Sequence, residues 1–107
     1  NNMNKAEKDK TIGTYVRWMG KVNNVDVKEN RIGIVCLNQD KEWQNVGLTV
    51  VPEQSDILKT IKEDDGIDFV AKIKVPKLSG TLTPYFLDEG VIMQYGDVNL
   101  EIEALPN

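Results

Sequence analysis

The chain has 107 residues, 40% apolar and 28% charged, with 17 acidic against 13 basic residues and a net charge of −4. That size and balance fit one globular domain that buries roughly two-thirds of its unfolded surface without disulfides or a structural metal, and they exclude a disordered chain. The acidic surplus weighs against a surface built mainly for phosphate backbones, and a single cysteine with no histidine excludes an internal disulfide, a Cys/His zinc site and histidine acid–base chemistry.

Residues 1–11 are polar and charged. They predict a tail, or a short N-terminal helix that forms only if it packs on the rest. From Thr14 onward the pattern alternates: Val16, Trp18, Gly20 and Val22 share one face, and Tyr15, Arg17, Met19 and Lys21 the other. This predicts a half-buried strand that runs on to Val27. Gly20 marks a place where that strand can coil sharply and serve two sheets.

Lys28–Arg31 predicts a hairpin turn. Ile32–Leu37 is apolar on both faces, as a covered central strand would be. Asn38–Asn45 predicts a second turn with Trp43 near its end. Trp43 reads first as a strand end folding back on the body of the protein, and second as an exposed contact residue. Val46, Leu48 and Val50 predict a third strand, stopped by Pro52, which has no amide donor.

Pro52-Glu53 or Ser55 opens a helix of two turns, with Ile57, Leu58 and Ile61 as its apolar stripe. Asp64-Asp65-Gly66 ends it, with Gly66 expected at positive φ. So short a helix must bury its stripe, most simply in the open mouth of a barrel. Ile67, Phe69, Ala71, Ile73 and Val75 form the clearest amphipathic strand, followed by a loop at 76–80. Tyr85, Leu87, Val91 and Met93 predict the next strand, with a bulge at Asp88-Glu89-Gly90 and with Tyr85 and Phe86 on opposite faces. Val98, Leu100, Ile102 and Ala104 alternate with Asn99, Glu101 and Glu103, which predicts an added edge strand with outward carboxylates. Five strands with one helix between the third and fourth is the order of a small closed β-barrel. No apolar run approaches the ~18 residues of a membrane-spanning helix.

The chemistry is sparse. Cys36 lies in an apolar run and reads as a small buried hydrophobe with a raised pKa. Ser55 and Ser79 have no candidate base near them in sequence. The pairs Asp64-Asp65 and Asp88-Glu89 read as turn chemistry, and Glu101 with Glu103 as a solvated edge. No enzyme activity, cofactor or metal is expected.

Two stretches carry a resemblance. Gly13-Thr14-Tyr15-Val16-Arg17-Trp18-Met19-Gly20-Lys21-Val22 resembles the first strand of an OB-fold. The run from Leu58 through Asp64-Asp65-Gly66 to Ile73 resembles that fold's helix entering its fourth strand. Within the OB-fold superfamily the chain is most similar to the tRNA-anticodon-binding-like domains of bacterial exported proteins and lipoproteins. The resemblance implies a five-stranded Greek-key barrel over 12–94, with 95–107 as an added strand or tail. It implies a non-catalytic binding module in the cell envelope. By fold ancestry it also implies single-stranded nucleic acid as an alternative ligand. The corresponding site would draw on Lys28, Arg31, Lys41 and Trp43 at the strand ends, with Tyr15, Arg17 and Tyr85 near them. A protein or small-ligand partner is expected ahead of nucleic acid, because Ile32–Leu37 and Val46–Val51 contain no aromatic residue and no cation.

Overall fold

The structure, a computed structural model, describes residues 10–37, 43–75 and 85–100. Its strands are β1 (Tyr15–Asp26), β2 (Arg31–Leu37), β3 (Trp43–Val50), β4 (Gly66–Val75), β5 (Tyr85–Tyr95) and β6 (Val98–Asn99), with a helix at Pro52–Lys59 between β3 and β4. They form a sheet in the order β3-β2-β1-β4-β5-β6, closed into a barrel by a further pairing of β3 with β5. That closing pair is parallel; all the others are antiparallel. The result is a five-stranded mixed barrel of Greek-key type, with β6 added at its end. It is OB-fold-like.

The barrel closes because β1 serves two neighbours. Its first half, Tyr15–Lys21, pairs with β4, and its second half, from Gly20 onward, pairs with β2. Gly20 and Lys21 are bonded on both edges, so the strand coils there. A Cβ on Gly20 would stand 2.6 Å from the Val35 carbonyl oxygen and 2.9 Å from the Cys36 sulfur. Only glycine fits that approach, as its mid-strand position suggests. Farther along, the register slips between Val22 and Asn24, which leaves Asn23 as the extra residue of a bulge.

Strand alternation fills the interior. Val22, Ile32, Ile34, Leu48, Phe69 and Ile92 are almost wholly buried. The helix closes one mouth with Leu58, 1% exposed, and the chain after it adds Ile61, while Ile57 packs half-buried against them. The helix is 3₁₀ rather than α. It starts at Pro52, whose fixed φ suits a first helical position, and Ser55 lies inside it.

Gln54 has a role that no local pattern announces. Its side-chain amide donates to the Ile92 carbonyl at 3.0 Å and its oxygen accepts from the Ile92 N–H at 2.6 Å. β3 ends alongside Gly90, whose carbonyl accepts from Val51 N–H. One amide side chain thus stands in for the next residue of β3 on that edge of β5.

Two expectations about local structure change, and a third reaches beyond the described residues. The positive φ after the helix falls on Asp64 (φ 72), not on Gly66. Asp64 N–H donates to the Val22 carbonyl and Val22 N–H to the Asp65 carbonyl, so these turn residues extend the β1–β4 ladder and the sharp reversal comes before Gly66. Aspartate tolerates this region better than most residues. The third strand starts at Trp43, three residues earlier than Val46. The added strand is described only at Val98–Asn99, with Leu100 bonded on to Met93; Ile102 and Ala104, like the N-terminal helix expected within 1–9, lie outside the described residues. The bulge at Asp88-Glu89-Gly90 is present, with Glu89 at φ 51 and the β4–β5 register shifting between Val70 and Lys72.

Candidate functional site

The early start of β3 sets the phase of its side chains. Val46, Leu48 and Val50 point into the barrel, and Trp43, Asn45, Gly47 and Thr49 point out. On β2 the outward set is Arg31, Gly33, Val35 and Leu37. Register then arranges these residues in rows across β1, β2 and β3. Leu37 pairs with Trp43, and Met19 stands one step beyond the Gly20–Cys36 pair that ends the β1–β2 ladder, with Asp68 opposite it on its other edge. Met19, Leu37 and Trp43 are 70%, 50% and 65% exposed. The next row is Lys21, Val35 and Asn45. The row after it is Asn24, Gly33 and Gly47, reaching Phe86 on β5. The Gly33 N–H donates to Asn24 Oδ1, and the Phe86 ring lies 3.1 Å from where a Gly47 Cβ would be. The two glycines therefore let neighbouring side chains lie flat on the sheet.

Three large apolar side chains standing in one row on a sheet exterior are uncommon, since single exposed hydrophobes are normally scattered. The apolar run of β2 predicts cover on both faces; the structure leaves Leu37 half exposed. Trp43, expected to fold back on the barrel, turns outward instead. Phase alone places Met19 and Leu37 on the outer face, but only the register puts them next to Trp43.

The other candidate residues are spread over the barrel. Arg17, two residues from Met19, holds the Asp68 carboxylate with both arms of its guanidinium, Nε at 3.1 Å and Nη2 at 2.9 Å. Tyr15 donates its hydroxyl to Glu89 Oε1 at 3.0 Å, and Lys72 donates to Glu89 Oε2 at 3.0 Å. The hydrogen bonds from Lys72 and Tyr15 hold the Glu89 carboxyl below its ordinary range, and the same contacts raise the Lys72 and Tyr15 pKa values. This cluster ties β1, β4 and the β5 bulge together. Tyr85 is half-buried against the core, its ring edge-on to Trp18 at 5.2 Å, and burial raises its phenol pKa. Lys28 lies in the β1–β2 turn and Arg31 begins β2, with Leu37 six residues farther along. Six strand steps span about 20 Å, so these two cations stand at the opposite end of the face from Trp43. Lys41 is outside the described residues. The structure thus brings Arg17 and Trp43 toward one end of the face, and separates Lys28, Arg31 and Tyr85 from them.

Cys36 is buried, and desolvation lifts its thiol to about 11. Asp65 accepts from the Lys62 N–H and closes the turn before β4, while Glu89 is engaged as described. Asp65 thus serves its turn, as expected, whereas Glu89 links separate strands and Asp88 Oδ1 is buried without a hydrogen-bond partner among the described residues. Among the described residues, no three Cys, Asp or Glu side chains form a metal-holding group. The chain matches no protein-family profile and no curated protein. Its barrel is of a type that commonly serves as a non-catalytic binding module. Among the described residues, no helix is long and apolar enough to cross a membrane.

Proposed function

We propose that this domain is a non-catalytic binding module that engages a protein partner through the outer face of β1, β2 and β3. The observation that carries this reading is the exposed row Met19, Leu37 and Trp43. Tryptophan is enriched among residues that dominate binding energy, and apolar patches rimmed by polar groups mark interaction sites. Here the rim is Arg17 and Lys21 on β1 and Asn45 on β3. The similarity to domains of bacterial exported proteins adds a cell-envelope setting to the proposal.

The test places a photo-crosslinking amino acid at position 43 in the cells that make the protein. Discrete protein adducts are expected, and Met19→Asp or Leu37→Asp should remove them. Adducts that persist in both variants would refute the reading.

A second reading rests on Trp43 standing outward near Arg17 and Lys21, a stacking residue beside cations. In it, single-stranded nucleic acid passes Trp43, Arg17 and Lys21 and continues along the face toward Arg31 and Lys28. Titration with poly-dT at low salt then quenches tryptophan fluorescence, with an affinity that falls steeply as salt is added. An unchanged spectrum removes this reading.

A further inference from the structure

We infer that the partner segment bound on this face is an acidic amphipathic helix laid across the strands; the inference rests on the binding-module reading above. At their exposures, Met19, Leu37 and Trp43 together offer on the order of 400 Å² of mostly apolar surface, within the range of functional patches on monomers. A standard interface takes about 800 Å² from each partner. The row is therefore about half of what a symmetric pair of these domains needs, and it suits one short segment.

The spacing of the row favours a helix. Its three side chains rise from three adjacent strands, about 4.8 Å apart. Residues four apart on a helix are about 5–6 Å apart and can settle into the two gaps between these ridges. Same-face residues of an extended strand are about 6.6 Å apart and overshoot them. A compact ligand is less suited, because small molecules seek concave sites that enclose most of their surface, and these side chains stand on an open sheet.

Charge gives the segment its sign and direction. The outward residues of β1 read Arg17, Met19, Lys21, so the apolar row is bracketed by cations at its β1 end. Asp68 already engages Arg17. Lys21 is exposed and makes no ion pair among the described residues. In a chain of net charge −4, Lys21 thus stands beside the row as a cation without a carboxylate partner among the described residues, Asp68 opposite Met19 being taken up by Arg17. A carboxylate on the segment meets Lys21, while its apolar side chains cross Leu37 toward Trp43.

The test pans a random 16-residue phage-displayed peptide library on the whole 107-residue chain. Enriched peptides should carry apolar residues at i, i+4 spacing together with Asp or Glu. Trp43→Ala should weaken them more than about tenfold. Lys21→Glu should weaken them roughly fivefold and Lys21→Gln by less, as for an exposed charge pair, while Lys59→Glu on the helix leaves them within about twofold. All four variants change exposed side chains, and thermal melts verify that each is folded. Peptides lost with Trp43→Ala but lacking acidic residues, or indifferent to Lys21→Glu, overturn the inference and leave the binding face standing. No enrichment, or peptides indifferent to Trp43→Ala, overturns both.

Discussion

Replacing Gln54 by leucine keeps its bulk and removes both hydrogen bonds to Ile92. Ile92 is wholly buried, so its N–H and carbonyl lose their partner on that edge of β5. An unsatisfied buried polar group costs about 1–3 kcal/mol. Gln54 itself is only half-buried, so water reaches part of the vacated site, and the two losses together come to about 3 kcal/mol. For a domain of this size, with a urea dependence near 1–1.5 kcal/mol per M, the unfolding midpoint should fall by about 2–3 M. Gln54→Glu separates donor from acceptor. A carboxylate still accepts from the Ile92 N–H but opposes the Ile92 carbonyl, so folding should raise the pKa of the introduced carboxyl group above its unfolded value. A raised folded pKa means stability that is full below the unfolded pKa and is lost as pH rises through the folded one. The glutamate variant should therefore approach the wild type in acid and fall behind it toward neutrality. Urea melts followed by circular dichroism between pH 4 and 7 measure both effects. A leucine variant within about 0.5 kcal/mol of wild type, or a glutamate variant whose deficit does not change with pH, would refute the view that Gln54 substitutes for a strand residue.

Gly20→Ala should destabilise by about 1–3 kcal/mol, because the new methyl group meets the Val35 carbonyl and the Cys36 sulfur; denaturant melts give the value, and a neutral result shows that β1 can shift. Cys36, with its thiol lifted to about 11, should react with a maleimide at pH 8 only on unfolding, at the rate of global opening; rapid labelling of the native protein contradicts its burial. Glu89→Gln should lower the Tyr15 phenol pKa, since the Glu89 carboxylate raises it; ultraviolet titration of the variant against Tyr15→Phe isolates this phenol. The lowered Glu89 pKa places its stabilising contribution above the ordinary carboxylate range and removes it as pH falls through the folded value. The raised Lys72 and Tyr15 pKa values place theirs below the ordinary lysine and tyrosine values and remove them as pH rises through the folded ones. A Glu89→Gln stability profile that parallels wild type at both extremes refutes this coupling.

Much of the barrel is legible along the chain. Period-two alternation assigns Val22, Phe69 and Leu87 to the interior. The stripe Ile57, Leu58 and Ile61 identifies a plug, and Gly20 a sharp coil. These are consequences of side-chain phase and short-range sterics, which neighbouring residues decide among themselves. The bulge at Asp88-Glu89-Gly90 is legible for the same reason.

Other features depend on which strand lies beside which. The parallel β3–β5 closure, the amide of Gln54 on Ile92 and the positive φ at Asp64 arise from backbone groups far apart in sequence finding their partners. The candidate site belongs here as well. Trp43 is a strand residue because β2 extends to Leu37 opposite it, and Met19 stands at the same end of the face because Gly20 pairs with Cys36, next to Leu37. Sequence by itself determined which side chains seek the interior, since that choice follows from local period and polarity. Tertiary structure alone decided which apolar side chains were left together on the outside, since that depends on hydrogen-bond register between strands distant along the chain.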